Sequence, residues 1–315
     1  MHLAILGATS QIAKDLIMSF AKNENYTLTL FARRPDVVNE WLKNNNLLGQ
    51  FVVDDFDGFT KEKKFYAVLN FVGVGDPALA LKMGASIFDV TLKYDQLALD
   101  YLSVYPDCRY LFLSSGAAYG MSFSEPVSLS TKSVIDLNNI QSQDWYAVAK
   151  LHAECRHRSL SQFAIIDIRV FNYFSHTQDI SARFLITDII RAIRDKTILK
   201  TSPEYIVRDF IHPSDFYKLF LALLTSTAIN DVVDCYSLSP INKLELLALM
   251  EENFTLKYEV INTGASVNAF GSKPYYYSLN KKAEGFGYNP SLSSVDALLL
   301  ETRKILVHDI THGVA

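Results

Sequence analysis

A tyrosine and a lysine four residues apart are the first candidates for chemistry. Tyr146 and Lys150 lie one helical turn apart in the segment WYAVAK, so both side chains share one helix face. We expect the neighbouring ammonium to lower the pKa of the phenol. Such a tyrosine can pass a proton to or from a carbinol oxygen while a nicotinamide exchanges hydride, and Lys150 could also bind a ribose. Because the chain has 17 tyrosines, this spacing is expected by chance, and its context must decide.

The second candidate group is a pair of serines that follows an apolar run. The run YLFL is typical of a buried strand and continues into Ser114 and Ser115 within SSGAAYG. The carboxyl ends of parallel strands are where such sheets bind ligands, and a serine there can hydrogen-bond a substrate carbonyl. Taken alone, the two serines are equally well explained as ordinary turn residues.

The N-terminal segment has the context of a dinucleotide-binding loop. The strand LAIL runs into GATSQIA and then a helix, where pyrophosphate would meet the backbone amides of the helix N-terminus. Ser10 and Ala13 stand where the usual fingerprint has glycine, so a turn without function is the alternative. The expected cofactor contacts in this loop are Gly7, Thr9, Ser10, Gln11 and Ile12.

The end of the second predicted strand indicates which dinucleotide is bound. An NAD-binding chain normally carries an acid there for the ribose hydroxyls, whereas this chain has Arg33 and Arg34. Guanidinium groups suit a 2′-phosphate, so NADP is the predicted cofactor and NAD a possible one; solvated surface arginines are the alternative. Asp55, after the third strand, could contact the adenine. Val72 and Gly73, after the fourth strand, could contact the cofactor backbone.

These residues are positioned by an alternation of strands and helices. Short apolar runs predict strands at 2–6, 27–32, 50–53, 66–72, 110–114 and 164–170. Helical spacing between them predicts helices at 11–22, 36–44, 76–83, 90–104 and 145–162. This order is typical of an α/β fold with a doubly wound parallel sheet of the Rossmann type.

The second half of the chain follows a looser pattern. Helices are predicted at 180–195, 213–226, 242–252 and 293–306, with short strands between them. We therefore expect a dinucleotide-binding domain at 1–172. Residues 173–315 should form mainly a smaller C-terminal substrate lobe, with segments that return to the core.

Composition excludes several classes of protein. The net charge of −4 and the pI of about 6.0 leave no basic surface for nucleic acid. The three cysteines lack the pairing or spacing of a disulfide framework or a zinc site, which fits a reducing cytoplasm. No leader-like segment or 18-residue apolar span is found, so neither export nor a membrane is expected.

Several motifs in order resemble those of a known family. The segments GATSQIA, LSSGAAYG, WYAVAKLHAE, RVFN and VRDFIH, and a closing NKKAEGFGYNPSL, resemble the extended short-chain dehydrogenases from residue 2 to about 300. That family comprises nucleotide-sugar epimerases, dehydratases and ketoreductases. The resemblance implies a homodimer with a catalytic serine at Ser115, a general acid/base at Tyr146 and a cofactor-binding lysine at Lys150.

The resemblance also implies two substrate contacts. Asn172 in RVFN matches the substrate-contacting asparagine, and Arg208 in VRDFIH matches an arginine that grips the nucleotide diphosphate; a surface or structural role is the alternative for Arg208. Arg169 and His212 look structural.

Three functions are compared. The leading hypothesis is an NADP-dependent reductase of a keto group on a nucleotide-activated sugar, with Tyr146 as proton donor. Dehydration is disfavoured because Gly116 and Ala117 stand where a dehydratase carries an acid pair. A nucleotide-sugar epimerase is the runner-up, and a non-catalytic NADP-binding regulatory protein is the alternative of another class.

Overall fold

The computed structural model describes residues 1–74, 77–120, 122–261 and 273–312. Its strands are β1 (His2–Leu6), β2 (Thr27–Phe31), β3 (Val52–Asp54), β4 (Ala67–Asn70), β5 (Arg109–Ser115), β6 (Ile165–Val170), β7 (Asn172–Tyr173), β8 (Ile198–Thr201), β9 (Val207–Arg208), β10 (Phe210–Ile211), β11 (Asp231–Asp234), β12 (Ile241–Asn242), β13 (Lys257–Val260) and β14 (Tyr275–Tyr276). Its α-helices are α1 (Gln11–Phe20), α2 (Pro35–Asn44), α3 (Pro77–Met83), α4 (Ser86–Leu102), α5 (Trp145–Ser159), α6 (Leu185–Arg194), α7 (Pro213–Thr225), α8 (Lys243–Phe254) and α9 (Ser294–His312).

Seven parallel strands form the main sheet. Their order is β3-β2-β1-β4-β5-β6-β11, and the strand order reverses between β1 and β4. Ligands of doubly wound sheets bind outside the carboxyl ends of the strands at such a switch point. The predicted α/β doubly wound parallel sheet is confirmed.

Burial on both faces explains why the central strands are almost entirely apolar. In β1, Leu3 and Ile5 belong to the core cluster that includes residues of α1 and α7, whereas Ala4 and Leu6 belong to the cluster that includes residues of α4. Successive side chains of a strand point to opposite faces, so a strand covered by helices on both sides has no polar face. Asn70 in β4 and the two serines of β5 stand at the carboxyl ends of their strands, where ligands bind.

The predicted elements of the first half are present, with shifted ends. The largest shift concerns α4, which begins at Ser86 and not at residue 90. Gly84, with φ of +54°, lies between α3 and α4, and the Ser86 hydroxyl donates to the Met83 carbonyl at 2.6 Å. A left-handed glycine allows one helix to end and the next to begin within three residues.

The second half returns to the sheet at two places. β11 pairs with β6 as the seventh strand, and α7 packs beside α1 on one face. The remaining short strands form small sheets in which β9 lies between β12 and β14, β7 pairs with β10, and β8 pairs with β13. A third core cluster, which includes residues of α6, α8 and α9, supports them. The boundary at 172 stays a prediction. Within the described residues, no helix has both the length and the apolarity that a membrane span requires.

Candidate active site

The loop after β1 is built for close approach of backbone segments. Gly7 has φ of +83°, and a Cβ there would lie 2.9 Å from the backbone nitrogen of Val72, the residue that follows β4 by two positions. Only glycine tolerates both conditions. Ser10 precedes α1 and its side chain makes no capping hydrogen bond, so its hydroxyl and the first amides of the helix remain available. The loop therefore fits a dinucleotide pyrophosphate.

Other predicted cofactor residues in this loop are placed differently. The Gln11 amide donates to Ser175 Oγ at 2.9 Å and to Thr177 Oγ1 at 3.3 Å, which fixes it against the segment after β7. Thr9 is exposed, while Ile12 packs against the core beneath α1. Gln11 thus links the cofactor loop to the second half of the chain, a contact that nothing in the sequence indicates.

The edge beyond β2 carries two exposed guanidinium groups. Arg33 and Arg34 follow β2, and neither makes an ion pair with a described carboxylate. The nearby acids at the end of β3 have other partners: Asp54 pairs with Lys63 at 3.4 Å, and Asp55 Oδ1 accepts from two backbone N–H groups of the following turn, at 2.9 and 3.1 Å. The two guanidinium groups are therefore available to a 2′-phosphate.

The two serines at the end of β5 point to different partners. Ser114 Oγ donates to Glu154 Oε1 at 2.5 Å, inside the packing between β5 and α5. Ser115 Oγ accepts from the Ala117 amide at 3.2 Å and lies 3.3 Å from the hydroxyl of Tyr276. Ser115 is thus the serine directed toward the candidate site.

Tyr146 occupies the first turn of α5, next to Ser115. Burial raises the pKa of Tyr146, and hydrogen bonding to Ser115 only partly opposes this. The expected lowering of this pKa by Lys150 is therefore wrong. The Lys150 ammonium lies 5.9 Å from the Tyr146 ring centroid and donates to the Leu113 carbonyl at 2.7 Å, so the lysine is held at the end of β5.

Lys150 connects α5 with the loop after β4. Burial lowers the pKa of Lys150 to about 8, although Glu154 and two aspartates act in the opposite direction. A Cβ at Gly73 would lie 3.4 Å from its Nζ. The lysine therefore stands beside the strand-end loop at the switch point, where a dinucleotide would pass.

The predicted substrate residues converge on a tyrosine that sequence reasoning missed. Asn172 Nδ2 donates to the Tyr276 carbonyl at 3.3 Å, and the Arg208 guanidinium lies 5.9 Å from the Tyr276 ring centroid. Parallel pairing of β14 with β9 places Tyr276 opposite Arg208. Tyr276 stands in a Lys-Pro-Tyr-Tyr-Tyr run without periodicity, so only this long-range pairing reveals it.

Two other polar residues of the motifs are engaged in structural contacts. Arg169 forms an ion pair with Glu154 at 2.5 Å, and its guanidinium lies 4.3 Å from the Tyr119 ring centroid. His212 Nε2 lies 3.0 Å from Glu301 Oε1 on α9. Both contacts agree with the structural roles expected for them.

The family model of the NAD dependent epimerase/dehydratase family matches residues 3–235. The chain belongs to this family. It is an NAD(P)-dependent enzyme of the extended short-chain dehydrogenase type, as the motifs predict. No curated protein matches the sequence.

Solved structures of similar fold cover almost the whole chain. A UDP-glucose-4-epimerase from Stenotrophomonas maltophila, with NAD and formylated UDP-arabinopyranose, has 15% identity, 99% coverage of both chains and a TM-score of 0.81. The dTDP-glucose 4,6-dehydratase of Bacillus anthracis, in complex with NAD, has 14% identity, 98% coverage of both chains and a TM-score of 0.78. The UDP-glucuronic acid 4-epimerase of Bacillus cereus, with UDP-glucuronic acid and NAD, has 15% identity, 97% coverage of this chain, 99% of that chain and a TM-score of 0.77. At such identities the likeness establishes the fold.

Proposed function

We propose that this enzyme is an NADP-dependent reductase of a keto group on a nucleotide-activated sugar, with Tyr146 as the proton donor. Membership of the epimerase/dehydratase family and the nucleotide sugars bound by structural neighbours support the substrate class. The observation that carries the choice of cofactor is the pair of unpaired arginines after β2.

The arginines favour NADP because of what surrounds them. Arg33 and Arg34 are exposed, and the nearest strand-end acids, Asp54 and Asp55, are already bound to Lys63 and to turn amides. A ribose 2′-hydroxyl would lack its usual carboxylate, whereas a 2′-phosphate would meet two guanidinium groups. The three neighbours described above are complexes with NAD, so NAD stays a possible cofactor.

The residues around Ser115 divide the reduction between them. When bound, the reduced nicotinamide supplies the hydride for the keto carbon. The Ser115 hydroxyl donates a hydrogen bond to the keto oxygen, and Tyr146 transfers its phenolic proton to that oxygen as the alcohol forms. A buried tyrosine with a raised pKa is protonated at neutral pH, which suits a donor. Lys150 would hold the cofactor ribose beside Gly73. The cofactor pyrophosphate would be bound by the loop of Gly7 and Ser10 and by the backbone amides of α1.

Packing beside Ser115 argues against a dehydratase. A Cβ at Gly116 would lie 2.4 Å from the Phe171 ring, and Ala117 is buried. A side chain at Gly116 would therefore clash with Phe171 unless that ring moved, which disfavours an acid at this position.

Epimerisation is the second candidate function. It would use the same residues, with Tyr146 first acting as a base. Several structural neighbours are 4-epimerases, which favours this alternative. A non-catalytic NADP-binding role is opposed by the convergence of Ser115 and Tyr146. We further propose that the enzyme is a homodimer located in the cytoplasm.

The proposed preference for NADP is tested by replacing both arginines. Replacing Arg33 and Arg34 with alanine should weaken NADPH binding by about 10-fold to 100-fold and leave NADH binding unchanged, because only the 2′-phosphate contacts are lost. An Arg303→Ala variant, changed at an exposed position of α9, serves as the control. Equal losses for both cofactors, or none, would contradict the assignment to NADP.

A further inference from the structure

A buried carboxyl group of α1 binds the end of β7 and the loop that follows it. Asp15 is 7% exposed, and its Oδ2 accepts hydrogen bonds from the Tyr173 and Ser175 hydroxyls at 2.8 and 2.7 Å. Its Oδ1 accepts from the Thr177 hydroxyl at 2.8 Å. Asp15 therefore holds residues 173–177 against α1.

Gln11, the first residue of α1, adds to this contact. Gln11 and Asp15 lie four positions apart and so share one face of the helix. The Gln11 amide group donates to the hydroxyl oxygens of Ser175 and Thr177, which also bind Asp15. One hydrogen-bond network thus joins residues 173–177 to the start of α1, where the helix amides are proposed to bind the cofactor pyrophosphate.

The same residues are held from another side by α9. The backbone N–H of His176 donates to Glu301 Oε2 at 2.7 Å, and the ring Nδ1 of His176 lies 2.6 Å from that oxygen. Glu301 is buried and also contacts His212, which directly follows β10, the strand that pairs with β7. Residues 173–177 are therefore fixed between α1 and α9.

The chemistry of the Asp15 contact indicates more than packing. Burial raises the pKa of Asp15, and the hydrogen bonds from Ser175, Thr177 and Tyr173 act in the opposite direction. A buried carboxyl group needs such donors, whereas an apolar side chain at the same place needs none. A polar network whose members are all bonded also fixes the relative position of the segments that it joins.

The two joined segments carry residues of both candidate ligand sites. Ser10 of the predicted pyrophosphate loop directly precedes Gln11, and Asn172, the predicted substrate contact, directly precedes Tyr173. The network around Asp15 therefore connects the cofactor loop with the strand that carries Asn172. Asp15 itself belongs to none of the sequence motifs.

We propose that Asp15 is a positioning residue that couples cofactor binding to the placement of Asn172. A dinucleotide bound at the start of α1 restrains that helix end, and the hydrogen bonds of Gln11 and Asp15 pass the restraint to residues 173–177. Cofactor binding then raises the affinity for the substrate, and the substrate raises the affinity for the cofactor by the same factor. The identity of both ligands rests on the proposed function.

A role of Asp15 in packing alone makes a different prediction, and Asp215 provides the matched comparison. Asp215 is also buried near the start of a helix, α7, and accepts from the Ser291 hydroxyl at 2.8 Å and from the Ser291 and Leu292 amides at 2.9 Å. It joins α7 to the residues before α9. If Asp15 only stabilises the fold, Asp15→Ala and Asp215→Ala should both lower stability and leave the coupling of the two ligands unchanged.

The first test is amide hydrogen exchange of the full chain, measured by mass spectrometry with and without saturating NADP⁺. In the wild type we expect NADP⁺ to slow exchange in the peptide that contains His176 and Thr177 by about 5-fold or more. In Asp15→Ala this slowing should fall below about 2-fold, while NADP⁺ still protects the start of α1. Asp215→Ala should respond as the wild type does.

The second test is calorimetric titration with the diphosphates of uridine, thymidine and guanosine, in the presence and absence of NADP⁺. NADP⁺ should raise the affinity of the wild type and of Asp215→Ala for the preferred diphosphate by about 5-fold or more, and that of Asp15→Ala by less than about 2-fold. If Asp15→Ala does not fold, Ser175→Ala, which loses the hydroxyl shared by Gln11 and Asp15, is judged by the same criteria.

The outcomes separate this proposal from the proposed function. An equal response of Asp15→Ala and the wild type in either measurement, or an equal loss in Asp215→Ala, would overturn the role of Asp15. So would the absence of any effect of NADP⁺ on residues 173–177 in the wild type. Protection of these residues by NADP⁺ without binding of any nucleoside diphosphate would contradict the proposed substrate class and leave the coupling standing. Binding of NAD⁺ alone would contradict the choice of NADP, and the same criteria then apply with NAD⁺.

Discussion

The hydroxyl of Ser115 lies 3.3 Å from the hydroxyl of Tyr276, so the candidate catalytic serine has a second tyrosine neighbour besides Tyr146. The two tyrosines come from distant parts of the chain, one from the first turn of α5 and the other from β14. Tyr276 is held by pairing with β9 and by aromatic contacts with Phe123 and Phe171 at 4.7 and 5.2 Å. It is therefore placed to orient the serine hydroxyl.

Replacing Tyr276 with phenylalanine should reduce turnover modestly. The ring contacts are retained and one hydrogen bond of about 0.5–1.5 kcal/mol is lost, which corresponds to a fall in kcat of about 2-fold to 10-fold. Steady-state kinetics with the reducible substrate measure this effect, and Tyr277→Phe is the neighbouring control. A loss as large as that of Tyr146→Phe would contradict a role for Tyr276 that is limited to orienting the serine.

Gly7→Ala should disable the cofactor loop. The positive φ costs about 1–2 kcal/mol for a non-glycine residue, and the contact with the Val72 backbone adds about 1–3 kcal/mol. Gly49 provides a matched control, because it has the same φ of +83° and no atom within 4 Å of an added Cβ. Chemical unfolding and NADPH titration should therefore show a larger loss for Gly7→Ala in both stability and affinity. Equal effects of the two substitutions would refute the close approach to Val72.

A buried histidine connects α5 with α4 and β6. His157 Nδ1 lies 2.6 Å from Asp167 Oδ1, and its Nε2 lies 2.7 Å from Asp95 Oδ1. Arg156 and Arg158 bind the other oxygens of these carboxylates at 2.6 and 2.7 Å. Burial acts to lower the pKa of His157, but the two aspartates outweigh it and raise the pKa to about 9.

This raised pKa makes stability fall in mildly alkaline solution. The stabilisation from charged His157 is complete below the unfolded pKa of about 6.5 and is lost as pH rises through about 9. The free energy of unfolding should fall by up to about 3 kcal/mol across this range. Urea unfolding at a series of pH values should show this decline in the wild type and in His152→Gln, which is changed at an exposed position. His157→Gln should be less stable throughout and lack the decline; an unchanged pH slope would count against the network.

Loss of the charge on Lys150 should weaken cofactor binding at alkaline pH. Because burial lowers its pKa to about 8, the ammonium that would hold the ribose loses its charge as pH rises through that value. The affinity for NADPH should accordingly fall above pH about 8 in the wild type. Lys150→Arg keeps its charge and should bind less tightly without this inflection, as fluorescence titration across the range would measure. The same inflection in both proteins would assign it to another group.

The sequence alone predicts most of the main sheet and the position of Ser115, because both depend on local patterns. Apolar runs identify the first six strands, and Ser115 is the last residue of β5. The sequence does not predict β11 as a strand of this sheet, because DVVD is short and an aspartate stands on each side of its two valines. It joins the sheet by pairing with β6. Tertiary pairing of this kind leaves no periodic signal in the chain.

Side-chain energetics were harder to predict than positions. The spacing of Tyr146 and Lys150 correctly places them on one helix face, yet it does not reveal that Lys150 binds the Leu113 carbonyl or that burial raises the pKa of Tyr146. Tyr276 is not predicted from the sequence, because its position depends on contacts with β9 and Ser115. Desolvation and counter-charge depend on the whole fold and cannot be read from spacing.

The most direct test of the proposed reduction is turnover of a panel of 4-keto nucleotide sugars with NADPH, comparing the wild type with Tyr146→Phe. Product formation is followed by NMR and cofactor oxidation by absorbance. We predict that the wild type forms a hydroxyl sugar with one NADPH oxidised per product, and that Tyr146→Phe loses at least about 100-fold in kcat. Full turnover by Tyr146→Phe, or sugar conversion without net NADPH oxidation, would contradict the account.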